Sequence, residues 1–469
     1  MIRTPVAAGF IRTREDMNQK YGQWLLVIMS VAVLLRFALL GSNSLWFDEA
    51  FSITQASRPQ AEIWQHGSED HPPLYYSILH DWLKLAGRSE IAARFPSAVI
   101  SLISQLLLYL LSRRLFGQEV ALVAVSLLAF SPLDVWYARE VRMYIFVTFI
   151  GLLMALGLVW RNRSGMLLFG AGLAAGLYLD YTIVPLWIGL SAIWLSYWWT
   201  QGYRFWHFLT WFLPSLAAWM VYYPWLPNFY HLLERLNRIF VFNQVRSTLG
   251  LSSFTAPQYL LILGLLGVGL AILAGLLLHL LRYQKMRYAL IPVFLLGFAM
   301  LTLLYPLPRF YSIKRVIVTG WPFVVLLVAW LVTQLERPRQ STWFALMGLS
   351  LLASVVMILG VPKDDWRGVV AYLDQYNVAA ADIWLDPPWN RLVYTYYRPQ
   401  QPPTTGSLQE LEEVAARDVW FVAERFPGQP VPASPSEAWL DEHLELVKAV
   451  SFYRLEVRHY RPRTGAVQK

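Results

Sequence analysis

Apolar runs of about 18 residues or more recur along most of this 469-residue chain, and nothing else in the sequence narrows its folding options so far. A helical segment of that length crosses the hydrocarbon core of a bilayer, where every backbone N–H and C=O must find its partner within the protein. Candidate spans fall near 24–41, 95–112, 119–133, 143–160, 165–179, 182–199, 208–226, 257–281, 288–305, 316–335 and 341–360. The pattern predicts a polytopic α-helical membrane protein with about eleven transmembrane helices. Composition agrees: 57% of residues are hydrophobic and 15% charged, where a soluble domain carries roughly a quarter charged.

The net charge of +9 is spread over short connectors between the apolar runs. That distribution speaks for membrane topology and lipid contact, with no nucleic-acid partner. The absence of cysteine excludes disulfides, iron–sulfur clusters and thiolate zinc sites. Residues 1–23 are polar and basic (Arg3, Arg12, Arg14, Lys20) and lead into the first run. That run is long for a signal-peptide core and has no small-x-small cleavage pattern, so an uncleaved signal anchor is expected.

Arg113-Arg114, Arg161-Asn162-Arg163 and the basic stretches 282–287 and 336–339 all fall on one side if the N-terminus is cytoplasmic, as the positive-inside tendency requires. An odd number of spans then puts the C-terminal portion on the exoplasmic side of the cell membrane. Tyr197, Trp198, Trp199 and Trp206 stand where interfacial aromatics belong. Three segments on the outer side are too large or too polar to be turns: 42–94, 227–256 and the tail from 361. Within the first, 74–86 places Leu74, Ile78, Leu79, Trp82 and Leu83 on one face, an amphipathic spacing suited to the membrane surface. In the tail, strand-like runs at 381–386 and 418–424 alternate with helical stretches at 365–376 and 407–416, which predicts a small α/β domain over 361–469.

The motifs that carry chemistry lie in the outer segments. "SLWFDEAFS" (44–52) sets Asp48 beside Glu49 at the mouth of a hydrophobic helix, where ionisable groups are costly. On a helix the two side chains diverge by about 100° and cannot address one atom. They could also simply open a surface helix, whose positive end favours carboxylates. Farther on, "DHPPL" (70–74) holds His71 between an acid and two prolines. Proline pushes the preceding residue out of helical geometry, and Pro73 can open the next helix. An imidazole fixed there can become cationic and meet a phosphate. "SPLDVWYAREVRMY" (131–144) brings Arg139, Glu140 and Arg142 to the start of a span. One Arg–Glu pair would leave an arginine over. "YPLPRFYSIKR" (305–315) adds Arg309, Lys314 and Arg315 on the outer side, against the positive-inside trend, and an anionic ligand would account for them. Asp180-Tyr181 and 222–225 read as packing at helix ends. No phosphate-binding glycine loop, HExxH or GxSxG is present.

An acidic pair in the first outer loop, then "HPPL" before an amphipathic helix, then "REVRMY" at a later span, resembles the GT-C superfamily of membrane glycosyltransferases. The closest likeness is to the family 39 group: protein O-mannosyltransferases and their bacterial relatives, with the lipid A aminoarabinose transferases beside them. The resemblance covers roughly 1–360, which with its exoplasmic loop 42–94 would form the transferase domain. It implies transfer of a sugar from a polyprenyl-phosphate donor to a lipid, glycan or protein acceptor on the exoplasmic side. By motif, Asp48 matches the family's catalytic carboxylate, Glu49 its acidic neighbour, and His71 the histidine near the donor phosphate. Two departures bear on whether the acceptor is a protein: Phe51 stands where the family commonly has histidine, and no β-trefoil insertion is evident.

The chemistry fits. A lipid-phosphate donor already carries its leaving group, so one base must take the acceptor proton while cations stabilise the departing phosphate. Asp48 is expected as that base, with His71, Arg139, Glu140, Arg142, Arg309, Lys314 and Arg315 around the donor. An inverting reaction with neither metal nor cofactor follows. Acid–base hydrolysis would need two separated carboxylates, which adjacent Asp48 and Glu49 do not provide. The rivals are a flippase for a lipid-linked sugar, which should line a path through the bilayer with polar groups, and an O-antigen ligase or polymerase using a diphosphate carrier. The tail is expected to shape acceptor access and do no chemistry.

Overall fold

The computed structural model describes residues 5–68, 71–200, 205–238, 313–334, 339–400, 403, 410–412, 415–425 and 434–463. The chain begins with α1 (Pro5–Phe37), α2 (Phe47–Ala56), α3 (Gln60–His66), α4 (Leu74–Ala86) and α5 (Glu90–Phe116). It continues through α6 (Gln118–Ala129), α7 (Pro132–Ala138), α8 (Tyr144–Trp160), α9 (Arg163–Leu179), α10 (Ile183–Thr200), α11 (Phe205–Tyr222) and α12 (Leu226–Arg238). Beyond the undescribed stretch come α13 (Ile313–Gln334) and α14 (Arg339–Gly360).

Among the described residues, four helices are long and apolar enough to cross a membrane: Gln19–Phe37 within α1, α5, Ile317–Gln334 within α13 and Gln340–Gly360 within α14. α6 and α7, bent by 58° at the break between them, are long and apolar enough only when taken as a pair. The expected span at 119–133 corresponds to α6, and α7 falls in the outer connector expected over 131–144. Ser131 precedes Pro132 and is extended (φ −67°, ψ 123°), because proline disfavours helical geometry in the residue before it. α8, α9 and Ile183–Leu195 of α10 are apolar but shorter, and the expected spans 257–281 and 288–305 lie outside the described residues. The expected segment 227–256 opens with α12, whose first residues lie at the end expected for the preceding span.

Two compact units emerge. The first comprises 1–38, 59–78 and 95–355, the second 39–58, 79–94 and 356–469; the boundary expected at 360 ran along the sequence, whereas the second unit also gathers two earlier stretches. In the first unit α8 runs along α9 and α9 along α11, while α13 packs on α6 and α8. Small residues permit the close approach: a Cβ at either Gly157 (α8) or Gly165 (α9) would strike the other's carbonyl oxygen, and one at Gly170 would meet Pro214 of α11 at 2.7 Å. α1 is tied in by a charge. Arg36, fully buried, donates from Nη2 to Asp134 of α7 at 2.6 Å, from Nε to Ser101 of α5 at 3.0 Å and from Nη1 to the Ala129 carbonyl at 2.7 Å.

The second unit holds a four-stranded sheet of order β1-β2-β4-β3, from β1 (Ile383–Asp386), β2 (Val419–Glu424), β3 (Leu444–Phe452) and β4 (Leu455–Pro462). β1 and β2 are parallel; the other pairings are antiparallel. Strand alternation feeds two cores. Ile383, Leu385, Trp420, Val422 and Val457 pack with α15 (Trp366–Gln375) and α16 (Arg391–Tyr397). Trp384, Phe421 and Tyr460 turn the other way, with Leu440 of α17 (Pro435–His443). β1 and β2 lie within the strand-like runs at 381–386 and 418–424. The β3–β4 hairpin escaped sequence reading.

Candidate active site

The acidic pair opens α2. Trp46 is the N-cap, extended at φ −105° and ψ 174°, so Asp48 and Glu49 occupy the first turn, where unpaired backbone N–H groups favour negative charge. Their side chains part as helix geometry demands. Asp48 is half-buried. Glu49 is wholly enclosed: Arg94 grips it with Nε to Oε1 at 2.8 Å and Nη2 to Oε2 at 2.7 Å, and Lys363 Nζ approaches Oε2 at 3.2 Å. The Trp46 N–H donates to the same oxygen at 3.4 Å, half of a capping box. Burial pushes the Glu49 carboxyl up, but Arg94 and then Lys363 outweigh it and hold the group down at about 2. Arg94 also donates to the carbonyls of Leu40, Asn43 and Ser44 at 2.9–3.0 Å, fixing the strand of chain that enters α2.

The second cluster lies within the first unit. Gly67 (φ +57°) turns the chain, and a Cβ there would meet the His71 carbonyl at 2.7 Å and the Trp225 ring at 2.9 Å, so only glycine fits. Ser68 closes the turn, its Oγ accepting the His71 N–H at 3.0 Å. Pro72 and Pro73 are buried, and the Pro73 carbonyl accepts from Ser77 in the first turn of α4. Held this way, His71 sets Nδ1 2.9 Å from Asp180 Oδ2 and Nε2 3.3 Å from Arg142 Nη2. A carboxylate can only accept and a guanidinium only donate. The proton therefore sits on Nδ1, and the Nε2 lone pair faces the arginine. Burial raises Asp180, but the bond from His71 and those around Thr182 more than reverse this, leaving its carboxyl below the usual range. Arg142 is buried, lies over the Tyr144 ring at 5.7 Å and donates to its hydroxyl at 3.3 Å. Burial lifts the neighbouring Tyr76 hydroxyl well above its ordinary value, against the pull of Arg142.

The residues expected around the donor are thus sorted. His71 and Arg142 meet. Arg139 spends Nη1 on the carbonyls of Leu35, Arg36 and Ala38 at 2.6–3.3 Å and so closes the C-terminal end of α1. Glu140 is buried in the α7–α8 connector. Lys314 and Arg315 stand in the first turn of α13 with side chains outside the described set, and Arg309 lies outside the described residues altogether. Asp180, Arg94 and Lys363 are additions. Asp180 read as helix-end packing, and the other two carry no local motif. The surface helix expected at 74–86 is α4, but its buried face is Tyr75, Tyr76, Leu79, His80 and Leu83, while Ile78 is 40% exposed. Among the described residues no three His, Asp or Glu side chains stand together as a metal site would require.

A family model described as dolichyl-phosphate-mannose-protein mannosyltransferase matches residues 70–227, a stretch that includes His71, Arg142 and Asp180 but not Asp48. No curated protein sequence matches the chain. The apo crystal structure of ArnT from Cupriavidus metallidurans superposes with a TM-score of 0.51 at 15% identity, over 93% of this chain and 98% of that one. The same protein bound to undecaprenyl phosphate gives 0.49 over the same shares, also at 15% identity. The oligosaccharyltransferase of Archaeoglobus fulgidus, in complex with zinc and sulfate, gives 0.47 at 12% identity, over 86% of this chain and 68% of that one.

Proposed function

From a chain with the GT-C membrane glycosyltransferase fold that resembles protein O-mannosyltransferases and ArnT, we propose an inverting glycosyltransferase with a polyprenyl-phosphate-linked sugar donor. Transfer is to a hydroxyl acceptor at the exoplasmic face of the membrane. Asp48 is the base. Its carboxylate takes the proton of the acceptor hydroxyl as that oxygen attacks the anomeric carbon. The bond from that carbon to the phosphate oxygen breaks, and the lipid phosphate departs with its charge. A single displacement inverts the anomeric centre. The departing phosphate needs cationic side chains, and Arg142, seated beside His71, is one that can offer it a charge-assisted bond. Neither a metal nor a cofactor is required for these steps.

The observation that carries the proposal is the division of labour at the start of α2. Glu49 is wholly enclosed between Arg94 and Lys363, whereas Asp48, one residue away in the same turn, keeps part of its surface exposed. A carboxylate in that setting can accept a proton from something that arrives. The donor class is supported by the matching family, described by its dolichyl-phosphate-mannose donor, and is in keeping with the undecaprenyl phosphate bound by ArnT.

The test is transfer by the purified full-length chain with a panel of polyprenyl-phosphate sugars, scored as donor consumed and product formed. A general base must approach its proton within about 2.6–3.2 Å, and removing one costs about a hundredfold to ten-thousandfold in rate. Asp48→Asn should therefore lose turnover by that order while still binding donor. An Asp48→Asn chain as active as wild type would remove the base from the mechanism. Bilayer translocation of the lipid-linked sugar with no product would favour the flippase instead.

A further inference from the structure

Ser44, Leu45, Trp46, Phe47, Glu49 and Ala50 of "SLWFDEA" each meet the tail beyond 360. Ser44 Oγ accepts the Arg367 N–H at 3.1 Å. The Leu45 N–H donates to the Tyr397 hydroxyl at 2.8 Å, and that hydroxyl donates to Glu90 Oε1 at 2.9 Å. The Lys363 ammonium lies 5.9 Å from the centre of the Trp46 ring and 3.2 Å from Glu49 Oε2. Phe47 packs against the core that holds Trp366, Val369 and Tyr394, and Ala50 is part of it. Just upstream, Arg367 Nη2 donates to the carbonyls of Gly41 and Ser42 at 2.9 and 2.5 Å. All of these residues belong to the second compact unit.

We infer that Lys363 is a positioning residue for Asp48: by pairing with Glu49 and covering Trp46, it fixes the first turn of α2 and so makes the tail a working part of the transferase. Lys363 is suited to this because its side chain is only 8% exposed while its ammonium reaches a carboxylate that is entirely enclosed. A charge brought so far out of water is stabilised only by a well-placed counter-charge. Arg94 alone gives Glu49 a bidentate partner, but it reaches α2 from upstream, through the carbonyls of residues 40–44. Lys363 supplies the opposing hold. Two cations on one carboxylate define where the helix starts, and Asp48, carried on that turn, is oriented with it. The tail therefore does more than shape acceptor access.

This inference rests on the role of Asp48 proposed above, and two measurements on the full-length chain separate them. Amide hydrogen exchange over 44–52 needs no substrate. Lys363→Met keeps the stem but drops the charge, and should speed exchange at Leu45 and Trp46–Ala50 by about tenfold or more, as expected for a local opening that becomes easier. Transfer assays should give kcat lower by about tenfold to a hundredfold, the scale of a reacting group misplaced by about 1 Å, with the donor KM near that of wild type. Lys363→Arg should restore both. Wild-type exchange in Lys363→Met overturns the inference, and so does loosened exchange with unchanged kcat. A wild-type chain that transfers no sugar overturns the enzyme instead, and the exchange arm still reports whether Lys363 holds α2.

Discussion

Glu49 has no exposed surface, and its ionisation is stabilised by the fold. Its carboxyl falls from 4.5 to about 2 despite burial, because Arg94 and Lys363 stand against it. A carboxyl with a lowered folded-state value contributes stability that is complete above its unfolded value and is lost as pH falls toward the folded one. The second unit should therefore lose about 3 kcal/mol between pH 4.5 and 2, read by exchange over 44–52 across an acid series. Glu49→Gln should flatten that acid limb and cost about 3–5 kcal/mol at neutral pH, since Arg94 and Lys363 are then left facing a neutral amide. An acid limb as steep in Glu49→Gln as in wild type would mean that other groups govern it. The acidic pair and the "HPPL" histidine were visible in the sequence because each sits in a short motif. Asp180 and Lys363 were not, since their importance comes from a partner far away in the chain: His71 for the first and Glu49 for the second.

At the level of elements, a buried ion pair ties α1 to α7. Arg36→Met should destabilise the first unit by about 3–5 kcal/mol, because Asp134 is left charged and enclosed, and thermal unfolding in detergent would register it. Arg36→Met combined with Asp134→Leu should regain most of the loss. Equal stability of the single and double variants would show that the pair is not what holds α1. The four helices long and apolar enough to span, Gln19–Phe37, α5, Ile317–Gln334 and Gln340–Gly360, were legible because a span must be apolar along its whole length, a signal that survives without any knowledge of neighbours. Short helices were less so: α7 lies in a stretch, 131–144, expected as a connector. The β3–β4 hairpin was missed for a different reason. β3 is an edge strand, mostly exposed, with Glu445 and Lys448 along it, and its turn uses Tyr453-Arg454 with Arg454 at φ +60° where Asn-Gly or Gly would have announced it.

For the whole molecule, we propose from the alternating basic connectors a cytoplasmic N-terminus and an exoplasmic tail. Reporter fusions at Lys469 should be active only outside the cytoplasm, and cytoplasmic activity there would reverse the orientation. The second unit is assembled from three separated stretches, 39–58, 79–94 and 356–469, and that discontinuity imposes an order on synthesis. Glu49 leaves the ribosome early and meets Arg94 soon after, yet Lys363 follows more than 300 residues later. At about 5–20 residues per second that is roughly 15–60 s of translation. Throughout that interval the nascent chain can insert its helices and engage lipid while α2 still lacks its second cation. The first turn of α2 gains its second cation only after more than 360 residues are made, so a truncated product stalled in the membrane would carry the acidic motif held by Arg94 alone.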